Sequence, residues 1–200
     1  MSYSAEISRE NPSCFLFIID QSGSMIDNFS NPPKPKSVGV ADAINKLLSN
    51  LVIKCAKSEG VRNYYYVGVI GYGRNTGPAF SGSLSGKELV SIEEIANNPA
   101  RIEERIKKID DGAGGLIEQK IKFPIWFDQI ADGGTPMTEA FQLANNVMNE
   151  WVKTHPKSFP PIVIHFTDGE STDGDPSNEM KKLTNISTND GNTLLFNIHL

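Results

Sequence analysis

The chain has 200 residues, of which 38% are hydrophobic, and a chain of this length buries about 70% of its unfolded surface in one ordinary globular domain. Its formal net charge is −5, and the acidic residues are dispersed without the basic stripe that a phosphate backbone attracts. We therefore expect a single hydrophobic core and no nucleic-acid partner.

The compartment is predicted from the N-terminus and the cysteines. Residues 1–11 lack the basic and apolar regions of a secretory signal, and no apolar run reaches membrane-spanning length. We expect a cytoplasmic protein with no membrane partner. Cys14 begins an apolar strand and Cys55 lies on the apolar face of a helix, so two buried free thiols are expected.

The first part of the chain shows strand, helix and strand patterns in turn. Residues 14–19 form a continuous apolar run, which predicts a strand buried on both faces. After a proline-rich loop at 31–36, apolar residues recur at helical spacing over 38–55. Aromatic and β-branched residues predict a second strand over 64–72.

The middle of the chain is predicted to contain one or two short helices and an edge strand. Ser91-Ile92-Glu93-Glu94 matches a capping box. After the break at Pro99, residues Ile102, Ile106 and Ile109 continue a helical stripe. Residues 117–125 alternate imperfectly between apolar and polar, as an edge strand does.

The remaining patterns complete a doubly wound α/β fold. Thr135-Pro136 begins a helix with an apolar stripe from Met137 to Trp151, and residues 162–167 predict another buried strand. Asp175-Pro176 begins a helix through about Ser187, and 193–200 supply a last strand. Strands alternating with helices predict a mostly parallel sheet flanked by helices, with room for one antiparallel edge strand. We expect an N-terminal tail over 1–12 and one domain over 13–200.

Two polar segments follow predicted strands, and a third precedes a predicted helix, at the same edge of the sheet. In such sheets ligands collect beyond the carboxyl ends of the strands, where Asp20 to Ser24, Thr135 and Asp168 are expected. Asp20, Ser22 and Ser24 alternate along a loop that Gly23 allows to bend, so their oxygens can face one point.

Such a set of oxygens predicts a site for a hard cation. Two carboxylates, three hydroxyls and water suit Mg²⁺, with Mn²⁺ or Ca²⁺ as alternatives, whereas zinc or copper would favour His or Cys. Because Asp20 and Asp168 supply only two full negative charges, the ion would remain electrophilic toward an outside oxygen. An Asp or Glu of a protein partner could complete the coordination shell.

These residues resemble the metal-ion-dependent adhesion site of von Willebrand factor A domains. The resemblance is carried by Asp20-Gln21-Ser22-Gly23-Ser24-Met25, Gly134-Thr135-Pro136-Met137 and Phe166-Thr167-Asp168-Gly169-Glu170, in the family's order, and it covers residues 13–200. It implies a Rossmann-like fold, direct metal coordination by Ser22, Ser24 and Thr135, and coordination by Asp20 and Asp168 directly or through water. Members usually continue past the last strand into a terminal helix that can shift on ligand binding, whereas this chain stops first.

Within the family, the sequence most resembles intracellular bacterial forms, including those associated with tellurium resistance. This resemblance implies a non-catalytic adaptor in a signalling, stress or defence assembly, with a kinase, phosphatase or ATPase encoded nearby as its partner. One alternative is a Mg²⁺-dependent phosphoryl-transfer enzyme with Asp20 as nucleophile, although Ser22 stands where a second carboxylate is expected and no P-loop is present. The other is a metal-stabilised structural scaffold.

Several further residues have a functional and a plain interpretation. Lys34 and Lys36 could border a docking surface for acidic partners or belong to a simple linker. Asp175 could tune the field of the metal, but a helix cap is the simpler interpretation. His165, inside an apolar strand, is expected to be a core residue and not a metal ligand.

Overall fold

The computed structural model of the chain describes residues 3–29, 33–110, 112 and 115–200. Its helices are α1 (Lys36–Cys55), α2 (Ile92–Asn97), α3 (Met137–Thr154) and α4 (Ser177–Asn185). Its strands are β1 (Ser13–Asp20), β2 (Ala56–Lys57), β3 (Gly60–Val61), β4 (Tyr65–Tyr72), β5 (Thr76–Pro78), β6 (Val90–Ser91), β7 (Arg101–Asp110), β8 (Leu116–Ile125), β9 (Ile162–Thr167), β10 (Ser187–Thr188), β11 (Gly191–Asn192) and β12 (Leu194–His199).

A central sheet carries the fold. Its strand order is β12-β9-β1-β4-β5, with β6 also paired to β4. The four long strands run parallel, and β5 and β6 run antiparallel to β4. Parallel neighbours require crossover connections, which the helices supply. The predicted mostly parallel α/β sheet with an antiparallel edge is confirmed.

The sheet is covered by helices on both faces. Neighbouring residues of β1 point to opposite faces of the sheet, so β1 contributes side chains to both sides. Phe17 and Ile19 pack in one core cluster with the apolar stripe of α1 and with α2. Leu16 and Ile18 pack in a second cluster with α3 and with Leu183 of α4. The continuous apolar run of β1 therefore serves two cores, and the doubly wound arrangement follows.

Most predicted elements are confirmed, including the Ser91 capping box, in which the Ser91 hydroxyl and the Glu94 carboxylate reach each other's backbone amides. Cys14 and Cys55 are buried free thiols, as expected. Within the described residues, none of the helices is long and apolar enough to cross a membrane.

The middle of the chain differs from the prediction. The helix expected across Ile102 and Ile106 is wrong, because Arg101–Asp110 is a strand that pairs antiparallel with Leu116–Ile125. A spacing of four residues repeats on a strand face as well as on a helix face, since four is a multiple of two. Ile102 and Ile106 are 57% and 64% exposed, so no core selected the helical alternative.

The edge-strand prediction for 117–125 is also corrected. This segment is a strand, but it belongs to the separate two-stranded ribbon formed by β7 and β8 and does not pair with the central sheet. The antiparallel edge of the central sheet is formed by β5 and β6, in a segment that the sequence marks mainly by its turn residues. Pairing partners of a strand are set by tertiary packing, which local alternation does not report.

Candidate metal site

The candidate site begins where β1 ends, at a carboxylate that is almost fully buried. Asp20 is 1% exposed, and its Oδ1 accepts a hydrogen bond from the Ser22 backbone amide at 2.8 Å. Its Oδ2 accepts a hydrogen bond from the Thr167 hydroxyl at 2.9 Å. Asp20 therefore orders the loop that follows β1 and ties that loop to the end of β9.

The two serines and Asp168 form a continuous hydrogen-bonded chain. Ser24 Oγ donates to Asp168 Oδ1 at 2.7 Å, and the Ser22 and Ser24 hydroxyl oxygens lie 3.1 Å apart. Because Ser24 uses its only hydroxyl proton on Asp168, Ser22 is the donor to Ser24. Four of the five predicted ligands, Asp20, Ser22, Ser24 and Asp168, thus meet at the carboxyl edge of the sheet.

Thr135, the fifth predicted ligand, is brought close by the backbone of its loop. The Gly23 amide donates to the Gly133 carbonyl at 3.0 Å, which places this loop against the serine loop. Thr172 then holds Thr135 from the other side, through its hydroxyl at 3.0 Å and its amide at 2.9 Å. Thr135 is 8% exposed. Among the described residues, no hydrogen bond joins its hydroxyl to the other four predicted ligands.

Glycines permit the close approach of these loops. Gly133 has φ +89°, and a Cβ there would lie 2.4 Å from the Arg74 backbone nitrogen. A Cβ on Gly73 would lie 2.6 Å from the Asp132 carbonyl oxygen. Gly73 directly follows the last residue of β4, and its lack of a side chain allows this close backbone packing beside the site.

Lys36 is a site residue whose contact with a proposed ligand the sequence patterns do not predict. Its Nζ lies 2.9 Å from Asp168 Oδ2, across 132 positions of sequence, and the Asp168 side chain is 0% exposed. Lys34 is also paired within the chain, with Asp42. The structure thus adds a third role to the two interpretations of these lysines, a docking surface or a simple linker, because both form ion pairs within the chain. Nothing in the local sequence distinguishes Lys36, because its partner is contributed by the end of β9.

A buried polar network lies behind Asp20. His165 is 0% exposed; its Nδ1 lies 2.7 Å from Asn197 Oδ1 and its Nε2 lies 2.6 Å from the Tyr72 hydroxyl. An Nδ1–H that donates to Asn197 leaves Nε2 to accept from Tyr72, which is the neutral imidazole. Burial lowers the pKa of His165 to about 4, and burial together with the Asp20 charge raises the pKa of Tyr72. His165 is a core residue, as expected.

Two acidic residues near the site are helix caps. Asp175 Oδ1 accepts from the Ser177 amide at 2.9 Å at the start of α4, which confirms the cap interpretation. Asp173 accepts from the Thr138 and Glu139 amides, each at 2.9 Å, at the start of α3. Both oxygens of Asp173 and Oδ1 of Asp175 are therefore engaged by backbone amides, and we do not add these residues to the candidate ligand set.

The donor set fits a hard divalent cation better than a soft one. Across the described ranges, no group of three or more His, Cys, Asp and Glu side chains is placed to hold a metal, so binding at this site requires the serine and threonine hydroxyls. Two carboxylates and neighbouring hydroxyls are oxygen donors of the kind that Mg²⁺ accepts together with water. The Lys36 ammonium already stands as a cation at Asp168, which shows that this position attracts positive charge.

Comparisons with known proteins give structural likenesses without a family assignment. No family model matches the chain, and no curated protein matches it. The vWF domain of the type V pili tip protein Mfa5 from Porphyromonas gingivalis is 14% identical, with a TM-score of 0.41 over 80% of this chain. The pilus adhesin RrgA from Streptococcus pneumoniae is 15% identical, with a TM-score of 0.43 over 86% of this chain. The matched regions span 39% and 22% of those two chains.

Proposed function

We propose that this chain is a von Willebrand factor A-type module that uses a divalent cation to bind a carboxylate of a protein partner. The observation that supports the proposal is the meeting of Asp20, Ser22, Ser24 and Asp168 in one hydrogen-bonded arrangement at the carboxyl edge of the sheet. Open α/β sheets bind their ligands at this edge. Thr135 lies in the adjacent loop and completes the proposed ligand set.

The charges of the proposed ligands favour an outside carboxylate as the final ligand. Asp20 and Asp168 carry two negative charges, and the hydroxyls of Ser22, Ser24 and Thr135 carry none. When bound, Mg²⁺ would supply a Lewis acid whose charge the protein does no more than balance. An Asp or Glu of the partner would then be attracted to the open part of the shell.

The surroundings of the serine loop suit protein recognition. Ile26 and Phe29 follow Ser24 closely and are 64% and 50% exposed. Exposed apolar side chains beside a polar site are typical of a protein-interaction surface. The partner would therefore present an acidic residue with apolar neighbours.

The geometry disfavours the enzyme alternative. A nucleophilic Asp20 would need a carboxylate oxygen that an outside substrate can reach, yet the residue is 1% exposed. We propose a non-catalytic role. Phosphate release from generic phosphoesters that disappears in Asp20→Asn would support the enzyme instead.

We place this module in the cytoplasm of a bacterial-type cell, as an adaptor in a signalling, stress or defence assembly of the kind associated with tellurium resistance. The two buried free thiols suit a reducing compartment. A kinase, phosphatase or ATPase encoded nearby is the proposed partner class. The structural-scaffold alternative requires metal binding without a metal-dependent partner.

Calorimetric titration with Mg²⁺ and Mn²⁺ tests the metal site. We expect saturable binding by the unaltered protein and its loss in Asp20→Ala. Asp175→Ala is the matched control, because it removes an acidic helix cap at the same edge without removing a proposed ligand. Equal binding by the unaltered protein and by Asp20→Ala would contradict the site.

Capture of native complexes on the immobilised protein tests the partner. We expect one partner to be released by EDTA, and the same partner to be lost with Ser22→Ala and with Thr135→Ala. A partner retained under all three conditions would support the scaffold alternative. The partner's acidic contact residue can then be found by replacing its surface Asp and Glu residues singly.

A further inference from the structure

Lys36 occupies an unusual position for a lysine. It is the first residue of α1, where the partial positive charge of the helix N-terminus disfavours a cation. Its side chain is nevertheless only 17% exposed, and its ammonium contacts the fully covered Asp168 carboxylate. Local preference therefore opposes this placement, and the long-range ion pair stabilises it.

The ion pair compensates a charge that would otherwise be costly. An ionised carboxylate that is shielded from water needs a charged partner or several hydrogen-bond donors. Asp168 Oδ1 receives one hydrogen bond, from Ser24, and Oδ2 is held by Lys36. Without a metal ion, Lys36 is thus the positive charge that neutralises Asp168.

The same contact stands in the way of a metal ion. A divalent cation coordinated by Asp168 would be close to the Lys36 ammonium, and two positive charges at such a short distance repel each other strongly where water screens them little. The carboxylate then no longer needs the lysine. Metal and lysine therefore favour mutually exclusive states of the Asp168 side chain.

We propose that Lys36 is a built-in competitor of the metal, which holds Asp168 in the metal-free protein and is displaced when a divalent cation binds. This inference rests on the proposed metal-binding function. It adds two properties to that function: the metal affinity is set below what the oxygen ligands alone would give, and metal binding releases a positive side chain at the rim of the site. A released lysine there would attract the same acidic partner as the metal.

The first test compares Mn²⁺ affinities by calorimetry. Lys36→Met keeps an unbranched side chain of nearly the same length and removes its charge, and we expect the Mn²⁺ Kd of this variant to be lower by at least about tenfold. Lys34→Met is the matched control, because Lys34 pairs with Asp42 and should leave the Mn²⁺ affinity unchanged. In EDTA, Lys36→Met should melt at a lower temperature than the unaltered protein, and saturating Mn²⁺ should remove that difference.

The second test uses the unaltered protein, so it does not depend on the folding of a variant. An amine-reactive ester should label Lys36 several-fold faster in Mn²⁺ than in EDTA, with the exposed Lys153 as the internal reference. Unchanged Lys36 labelling in saturated protein would overturn the competition.

The outcomes separate the two proposals. Mn²⁺ binding by the unaltered protein with equal or weaker binding by Lys36→Met would overturn the competition and leave the metal site standing. Absence of Mn²⁺ binding by both proteins would overturn the metal site and the competition together. Binding by Lys36→Met alone would support both the ligand set and the competition.

Discussion

Each oxygen of the Asp20 and Asp168 carboxylates has a partner within the chain. Asp20 accepts hydrogen bonds from the Ser22 amide and the Thr167 hydroxyl, whereas Asp168 is held by Ser24 and Lys36. A partner on each oxygen fixes the orientation of both groups before any ligand arrives, and the second lone pair of each oxygen stays available to a ligand. The sequence motifs predicted the two carboxylates, but Thr167 and Lys36 are defined as their partners by contacts far apart in sequence.

At the same scale, the buried His165 is expected to make the free energy of unfolding depend on pH. In the folded protein the pKa of His165 is lowered from 6.5 to about 4, and burial is the main cause. His165 therefore binds a proton at a higher pH in the unfolded chain than in the folded one. As pH falls below 6.5, the proton therefore favours the unfolded state. We expect the free energy of unfolding to drop by about 1 to 2 kcal/mol between pH 7 and pH 5.

Urea unfolding at several pH values checks this prediction, and the window above pH 5 keeps most carboxyl groups ionised. His165→Gln should flatten the slope between pH 7 and pH 5. His199→Gln is the control, since His199 is exposed and should leave the slope unchanged. A slope that persists undiminished in His165→Gln would assign the effect to another group.

At the scale of elements, the loops around the site can approach each other only because glycines stand at positions with no space for a side chain. The turn at Gly133 brings its loop against two other segments. The Gly23 amide donates to the Gly133 carbonyl at 3.0 Å, and the Arg74 amide donates to the Asp132 carbonyl at 2.9 Å. The sequence marks this stretch as a turn. It does not show that the turn packs against β4 and the serine loop.

Gly133→Ala should therefore destabilise the protein by at least about 2 kcal/mol, since a Cβ meets backbone and φ is positive. Urea unfolding measures this loss, and Mn²⁺ titration should show weaker binding. Gly77→Ala is the control, because a Cβ at Gly77 has no atom within 4 Å and should change stability by less than about 0.5 kcal/mol. Similar stabilities of the two variants would show that the turn adjusts freely.

At the scale of the whole molecule, the central sheet with its two helical layers forms the core, and the β7–β8 ribbon is a separate two-stranded sheet. The base of the ribbon is held by Arg105 to Asp42 at 2.6 Å and by Arg101 to Asp128 at 2.7 Å. Between residues 107 and 119, none of the described side chains is buried. The far part of the ribbon thus contributes little to either core cluster.

Replacement of residues 107–119 by Asn-Gly should leave the fold intact. Ile106 and Lys120 are paired across the ribbon, and a two-residue turn joins such partners in a hairpin. We expect the free energy of unfolding to change by less than about 1 kcal/mol, because no described buried side chain is removed. Mn²⁺ affinity should be unchanged. A loss larger than about 3 kcal/mol would show that the ribbon end supports the core.

The sequence by itself determined the elements whose side-chain pattern has only one interpretation. The apolar run of β1, the helical stripes of α1 and α3, and the Ser91 capping box specify local structure through burial and backbone hydrogen bonds alone. Their order in turn placed Asp20, Ser22, Ser24 and Asp168 at one edge of a parallel sheet.

Only the tertiary structure decided what depends on contacts between distant segments. The isoleucine spacing at 102 and 106 suits a helix or a strand, and pairing with β8 selected the strand. The position of Lys36 in the sequence is compatible with a side chain that faces solvent, but its ion pair with the covered Asp168 carboxylate holds the side chain against the site. In both cases the deciding free energy comes from a partner many residues away, which local sequence pattern does not contain.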